Sequence, residues 1–346
     1  MKPFFRHAAS ALLGVSITLG AGLASPVKAA PASYHLVKTV LLPGDGGWDY
    51  LTVDSAARRL YVTHSTHVSV VDIDTGAVIG DIADTPGVHG VAADPKSGHG
   101  FTSNGRTSTV TMFDLKTLKP LKQIPVGDGP DAIIFDPATR RVFTFNGKGQ
   151  SSTAIDADTG SVVGTIPLPG RPEFAVADGK GYLYDNLEDK SEIVALNART
   201  LKVEHVWPTA PGEAPSGLTM DLKTRRLFSV CDNQKLVVMD ADTGKVVSTP
   251  AIGNGPDACA FDPATNLVFS PNGQDGTVTI LKEQSQDSYA LVQTLTTQRG
   301  ARTLALDEKT HRLLTVTATP LPAAPGENPR RRRYVPGSFV LLEYGK

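Results

Sequence analysis

An aspartate recurs every 40 to 45 residues along this chain and ends a short apolar run each time. The seven marker aspartates are Asp54, Asp94, Asp136, Asp178, Asp221, Asp262 and Asp307. Within each repeat, four segments rich in Val, Ile, Phe and Thr are separated by Asp-Pro, Asn-Gly or Asp-Thr-Gly turns, the pattern of four antiparallel strands. One such unit cannot bury its own faces and must stack on neighbours. Seven copies therefore predict an all-β, seven-bladed β-propeller with four antiparallel strands per blade.

The two ends of the repeat region predict how the ring closes. A strand-like run at residues 34–42 precedes the first repeat, whereas the last repeat ends after its third strand at residues 339–342. We expect the N-terminal run to join the C-terminal blade as its fourth strand, which would remove the open sheet edges.

The first 29 residues have the pattern of a secretory signal peptide. Lys2 and Arg6 supply a basic start, residues 8–24 an apolar core, and residues 27–29 a small-x-small cleavage site that ends at Ala29. This core is too short for a membrane anchor, so we expect no membrane span in the mature chain and a periplasmic or secreted location. Residues 30–346 are then expected to form one propeller domain and to be monomeric.

The overall charge is nearly balanced, with a formal net charge of −1. Nothing global therefore favours nucleic acid or an anionic membrane as a partner. The two cysteines, Cys231 and Cys259, lie in neighbouring repeats. In an oxidising compartment they would either form a disulfide or remain free thiols.

Several segments resemble one known repeat family. Residues 59–63 (Arg-Leu-Tyr-Val-Thr), 141–145 (Arg-Val-Phe-Thr-Phe) and 68–72, with the Asp-Thr-Gly turns, resemble the YVTN-type β-propeller repeat of surface-layer and YncE-like exported proteins. The resemblance covers nearly the whole mature chain. It implies an exported seven-bladed propeller but leaves the activity open, because propellers host binding modules as well as lyases, lactonases and dehydrogenase subunits.

Two positions in the repeat predict polar rings around one mouth of the central channel. The loop before the innermost strand and the loop between the second and third strands open on the same face of a propeller. Five residues before the markers lie the inner-ring residues Asp49, His89, Asp131, Glu173, Ser216, Asp257 and Arg302. The outer ring after the second strands contains His64, Asn104, Asn146, Asn186, Cys231, Asn272 and Thr317.

The ring residues, apart from Cys231 and Thr317, are candidate ligand-binding residues together with Trp48. The alternative is structural, because such side chains also hydrogen-bond neighbouring blades and Asn-Gly is a favoured hairpin turn. Trp48 precedes the first inner strand, where its ring would either stack on a ligand or pack against the last blade.

The inner ring is acidic, with four carboxylates beside one imidazole and one guanidinium. Crowded carboxylates have raised pKa values or bind a cation. His64, His89, Asp49 and Asp131 mix imidazole and carboxylate in a way that divalent metals accept, and Asp257 is a further candidate ligand.

Two hypotheses of function follow. The first is an exported binding or scaffold protein whose mouth holds a small polar molecule, a glycan or a periplasmic protein, with no cofactor required. The near symmetry of the rings favours it, as does the lack of Gly-x-Ser-x-Gly, His-Glu-x-x-His, Cys-x-x-Cys and phosphate-binding motifs.

The alternative hypothesis is a metal-assisted lyase or lactonase with its site at the channel mouth. A divalent ion held by the inner-ring aspartates would polarise a carbonyl group. His89 or His64 would move a proton, and Arg302 would stabilise the developing anion.

The last repeat contains a Pro/Arg-rich insert at residues 318–337, in its second-to-third-strand turn. The prolines predict an extended segment that cannot join a sheet. Arg330, Arg331, Arg332 and Arg333 place four adjacent positive charges on the mouth face. The insert would be a lid, a contact for an anionic partner such as a polysaccharide or nucleic acid, or a solvated loop.

Overall fold

A computed structural model of the chain confirms the seven-bladed β-propeller. It describes residues 1, 3–4, 33–44, 47–322 and 333–346. The chain separates into two units, Met1–Ala32 and Ser33–Lys346. The proposed signal peptide lies almost entirely outside the described residues. Over the part of the chain described, no helix is long and apolar enough to span a membrane.

The propeller consists of seven four-stranded antiparallel sheets. In chain order the strands are β1 (His35–Leu41), β2 (Trp48–Asp54), β3 (Arg59–His64), β4 (His67–Asp72), β5 (Val78–Ile82), β6 (Val88–Asp94), β7 (His99–Asn104), β8 (Thr109–Asp114), β9 (Pro120–Pro125), β10 (Pro130–Asp136), β11 (Arg141–Asn146), β12 (Ser151–Asp156), β13 (Val162–Pro167), β14 (Pro172–Ala177), β15 (Tyr182–Leu187), β16 (Glu192–Asn197), β17 (Lys202–Pro208), β18 (Pro215–Asp221), β19 (Arg226–Cys231), β20 (Lys235–Asp240), β21 (Val246–Ser248), β22 (Ala260–Asp262), β23 (Leu267–Asn272), β24 (Thr277–Ser285), β25 (Ser288–Thr296), β26 (Leu304–Asp307), β27 (Arg312–Thr317) and β28 (Val340–Gly345).

The ring closes as the sequence predicts. Blades 1 to 6 each contain four consecutive strands, from β2–β5 to β22–β25, whereas blade 7 has the order β26-β27-β28-β1. The N-terminal strand β1 pairs antiparallel with β28 along its length. Just before β1, Tyr34 packs edge-on against Phe269 with ring centroids 5.4 Å apart. Its hydroxyl donates to the carbonyl of His311. These two contacts fix the beginning of the propeller domain to blades 6 and 7.

The core lies between the blades rather than within them. Seven apolar clusters of buried residues each join one pair of neighbouring blades. The strands are dominated by Val, Ile, Leu and Phe, whose side chains alternate between the two faces of each sheet. Both faces of a blade are therefore covered, as a closed ring requires.

The marker aspartates lie at the face opposite the mouth, where the innermost strand turns into the second. Asp136 shows their local role, because it accepts hydrogen bonds from the N–H and the hydroxyl of Thr139 at 3.0 and 2.6 Å. Three markers also accept a hydrogen bond from an arginine of the following blade, and Oδ2 of a fourth lies 3.0 Å from Nδ1 of a histidine. These inter-blade pairs are Arg58–Asp307, Arg140–Asp94, Arg225–Asp178 and His311–Asp262.

Replacing Arg58 with Ala should lower the free energy of unfolding by about 1–3 kcal/mol, because buried Asp307 would lose a charged donor 2.8 Å away. Arg58 also pairs with Asp74, whose side chain is 59% exposed. The control Asp74→Asn should therefore have little effect. Urea unfolding measures both variants, and equal losses would contradict the role of the inter-blade pair.

The two ends of the blade 7 insert pair with each other. The N–H of Leu321 donates to the carbonyl of Arg333, and the N–H of Val335 donates to the carbonyl of Thr319, both at 2.8 Å. This pairing is one isolated bridge, and the described ends of the insert join none of the blade sheets. Residues 323–332, which include the first three of the four arginines, lie outside the described residues.

Cys231 and Cys259 are free thiols in the structure and do not form a disulfide with each other. Cys231 packs in the cluster between blades 4 and 5, and Cys259 packs in the cluster between blades 5 and 6. Burial raises the pKa of the Cys231 thiol to about 12. This thiol is therefore protonated at neutral pH and is a poor nucleophile.

Candidate functional site: the channel mouth

The inner strands place the inner-ring side chains around one mouth of the channel. Asp49, His89 and Asp131 are each the second residue of their strand. In blades 1 to 5 the pairing register between the first and second strands shifts at the ring residue. Such a bulge changes the direction of a side chain, so the repeated bulges orient a ring of polar groups toward the channel entrance.

His89 connects two of the ring aspartates. Its Nδ1 lies 2.5 Å from Oδ2 of Asp49 and 3.4 Å from Oδ1 of Asp131. Burial alone would lower the pKa of His89, but the hydrogen bond to Asp49 and the charge of Asp131 raise it to about 9. His89 is therefore a cation at neutral pH and partly neutralises this side of the ring.

Arg302 neutralises ring carboxylates on the other side of Asp49 from His89. Its Nε donates to Oδ2 of Asp257 at 2.7 Å, and one terminal nitrogen lies 3.4 Å from Oδ1 of Asp49. The same nitrogen donates to the carbonyl of Trp48 at 3.0 Å, while the guanidinium carbon lies 5.7 Å from the centre of the indole ring. Arg302 is thus fixed within the ring by an ion pair, a backbone acceptor and an aromatic face.

Glu173 has no such partner. Within the described ranges, no hydrogen bond and no ion pair reaches its carboxylate, which borders two of the mouth cavities. Burial and the charges of Asp131 and Asp257 raise the pKa of Glu173 well above its ordinary value. Burial likewise raises the pKa of Asp131 to about 6, against the opposing charge of His89. This arc of the ring carries an excess of acidic groups.

Two aromatic rings close the channel beneath the mouth. Tyr50 in blade 1 and Phe174 in blade 4 each follow an inner-ring residue, and their ring centroids lie 4.7 Å apart in an edge-to-face contact. Blades 1 and 4 are not neighbours, so this contact crosses the channel. The mouth is therefore a closed-bottomed depression rather than the entrance to a pore.

Three adjoining cavities make up this depression. The first, of about 440 Å³, lies beside Trp48, His89 and Arg302. The second, of about 530 Å³, lies beside His89, Asp131 and Glu173, and the third, of about 230 Å³, continues from Glu173 back to Arg302. The two larger volumes fall in the range of small-molecule sites.

Part of the proposed metal ligand set comes together. Asp49, His89 and Asp131 each offer a ligand atom, and these atoms all lie within 4.8 Å of one another. The nitrogen and oxygen donors fit a divalent ion. A metal would have to replace the proton shared between His89 and Asp49. Asp257 is instead paired with Arg302.

The asparagines of the outer ring brace the hairpins and are not part of the mouth surface. Asn104, Asn146, Asn186 and Asn272 are fully buried. The amide of Asn146, for example, accepts from Thr144 and donates to Ser151 and Thr153, all at 2.9–3.1 Å. Hydroxyl partners placed by the same repeat hold Asn104 and Asn272. Asn186 instead donates to carbonyls of blade 5.

Two further predicted residues contact other blades. His64 is 9% exposed, and its ring centroid lies 5.1 Å from that of Phe339. It does not belong to the cluster of Asp49, His89 and Asp131. The Ser216 hydroxyl donates to the carbonyl of Pro256 in the next blade.

Trp48 packs against the last blade, as one of its two interpretations predicts. It is 4% exposed, and its ring stacks on Phe339 with centroids 5.6 Å apart and packs at a tilt against Tyr334 at 5.1 Å. A buried indole offers little surface for a ligand to stack on, although Trp48 borders the first cavity.

Sequence reasoning missed Lys148, Asp185 and the aromatic floor. Asp185 is fully buried and occupies the position taken by Thr63 and Ser103 in blades 1 and 2. The floor also had a signal in the repeat. The residue after each ring position is small or polar except in blades 1 and 4, where it is aromatic.

Fold and site define a seven-bladed propeller with a charged, closed-bottomed mouth, an architecture that serves as a general scaffold for binding. No protein-family model and no curated protein matches the chain. Among solved structures it is similar to Kuenenia stuttgartiensis hydrazine synthase, with a TM-score of 0.70, 16% identity and coverage of 80% of this chain and 94% of that one. It is also similar to the structure of U3-55K, with a TM-score of 0.73, 9% identity and coverage of 89% and 98%. At these identities the likeness shows the fold alone.

Proposed function

We propose that this chain is an exported binding protein that holds a small, positively charged polar ligand in its channel mouth. The observation that carries the proposal is Glu173, a ring carboxylate with a raised pKa and no partner among the described residues, beside two cavities. A half-buried carboxylate of this kind lacks its counterion. A ligand cation would supply that counterion and make the ionised form of Glu173 favourable.

The closed floor supports binding over transport through the channel. Tyr50 and Phe174 meet across the channel, so a ligand would enter and leave by the same mouth. The signal-like N-terminus and the YVTN-like repeats support a periplasmic or secreted location. The nearly balanced net charge gives no general attraction to polyanions.

Calorimetric titration with ethanolamine, a small ammonium ion, tests this proposal. We expect Glu173→Gln to weaken binding by at least about tenfold, because a charge-assisted hydrogen bond is lost. Glu308→Gln removes the same charge from an exposed turn at the opposite face and should bind like the unmodified protein. An affinity unchanged by Glu173→Gln, or no binding of the cation at all, would contradict the proposal.

The second candidate is a metal-assisted lyase or lactonase, which the proximity of Asp49, His89 and Asp131 favours. A bound divalent ion would supply the Lewis acid in such a reaction. These three side chains would hold the ion. Titration with Mn²⁺ distinguishes the two candidates. The metal-assisted enzyme requires that Mn²⁺ binds and that Asp131→Asn weakens this binding. Binding of ethanolamine without binding of Mn²⁺ supports the first function.

A further inference from the structure

Three basic side chains border one cavity on one half of the mouth rim. Arg106 and Lys148 occupy the same place in blades 2 and 3, immediately after the Asn-Gly of the second hairpin. Blades 5 and 6 have neutral Asn233 and Gln274 there. Arg171 of blade 4 adds a third cation on the same half, and all three cations border the second cavity.

Two glycines leave room for the side-chain stems of two of these cations at the cavity wall. The backbone of Gly87, at φ +70°, passes so close to Arg106 that an added Cβ would lie 2.8 Å from the Arg106 Cβ. At Gly129, with φ +62°, an added Cβ would lie 3.0 Å from Cγ of Lys148. The absence of side chains at these two positions makes room for the Arg106 and Lys148 stems.

The acidic groups of the same cavity lie on its floor and remain separate from the rim cations. Asp131 and Glu173 border this cavity together with Arg106 and Lys148. In the described segments, neither Arg106 nor Lys148 forms an ion pair with them, and Arg171 pairs instead with Glu188. On the far side of the mouth, by contrast, Arg302 already neutralises Asp257 directly. The second cavity therefore has an acidic floor, where His89 offsets part of the charge of Asp131, beneath a rim of cations.

We infer that the ligand of this cavity is a small zwitterion, such as a free amino acid or a short peptide, with its ammonium group on the floor and its carboxylate at the rim. This inference rests on the proposed function, which requires only the ammonium contact, and adds the second, anionic contact. The volume of about 530 Å³ accommodates a molecule of that size. A guanidinium and an ammonium group at the rim match a carboxylate, because charge-assisted hydrogen bonds are the strong ones.

Titration with an ω-amino acid series, from glycine to 6-aminohexanoate, tests the inference against n-alkylamines and n-alkylcarboxylates of equal length. We expect one amino acid length to bind at least about tenfold tighter than its matching amine. The double variant Arg106→Gln/Lys148→Gln should abolish this advantage without weakening amine binding. Arg299→Gln, an exposed arginine on the same face outside the cavity lining, is the matched control and should retain it.

The outcomes separate the two proposals. Amines that bind as tightly as every amino acid, with no effect of the double variant, would overturn the zwitterion inference and leave the cation site intact. Carboxylates that bind without an ammonium group would overturn it as well. Amine binding that does not respond to Glu173→Gln would instead contradict the proposed function itself.

Discussion

Replacing Asp185 with Asn is expected to stabilise the protein, and the gain should grow with pH. Asp185 is fully buried in β15, and neither of its carboxylate oxygens has a well-formed hydrogen bond within the described part of the chain. Burial raises the pKa of Asp185 well above its ordinary value, and the nearby backbone N–H of Glu173 offsets this only in part. Between the unfolded-state pKa of about 3.9 and the higher folded-state pKa, unfolding releases a proton, so the folded state loses about 1.4 kcal/mol per pH unit.

An asparagine avoids that loss because its amide does not titrate in either state. Urea unfolding of both proteins at pH 4, 6 and 8 measures the difference. The gain from Asp185→Asn should be smallest at pH 4, where about half of the unfolded-state aspartate is still protonated, and should rise toward pH 8. A gain that is independent of pH would show that the amide helps through packing or hydrogen bonding instead.

Asp94 is a buried aspartate whose pKa is shifted in the opposite direction, so it provides a matched comparison. Although burial opposes it, hydrogen bonds from Ser97 and Arg140 lower the pKa of Asp94. This carboxylate stabilises the fold above its unfolded-state pKa, and the benefit is lost as the pH falls through its lower folded-state pKa. Asp94→Asn should therefore cost about 1–3 kcal/mol at neutral pH, and the cost should shrink below pH 4.

The fold could be predicted because its constraints are local and repeated. Marker aspartates such as Asp136 cap their own turns, and neighbouring blades share one apolar cluster each. Both features are visible as periodic residues in one sequence. The fourth strand of blade 7 was also predictable, because an incomplete last repeat leaves a place for the N-terminal run.

The chemistry of the mouth was only partly predictable, because it depends on which ring residues meet. Aligned positions placed Asp49, His89, Asp131 and Arg302 in one ring. The sequence could not show that Arg302 pairs with Asp257, whereas Glu173 has no partner among the residues that the structure describes. Such pairing is decided by side-chain reach between neighbouring blades. The outer asparagines illustrate the converse, since a residue can be on the correct face and still be buried within its hairpin.

Introducing a single methyl group at Gly217 should be among the most damaging changes in the propeller. Gly217 follows the ring residue Ser216 in β18, where blades 5 and 6 approach each other. A Cβ at this position would lie 2.3 Å from the carbonyl carbon and 2.4 Å from the Cα of Ala258, and 2.7 Å from the nitrogen of Cys259. These neighbours are backbone atoms, so no side-chain rotation relieves the contact.

We expect Gly217→Ala to lower the free energy of unfolding by about 3 kcal/mol, at the upper end of overpacking costs. Gly147→Ala is the control, because its nearest neighbour would lie 3.7 Å away and its φ is not positive. It should be neutral or slightly stabilising, since alanine reduces the entropy of the unfolded chain. Adding Ala258→Gly to Gly217→Ala should not restore stability, because it leaves the clashing backbone in place. If Ala258→Gly did restore stability, the Ala258 side chain rather than the backbone would limit how closely blades 5 and 6 approach each other.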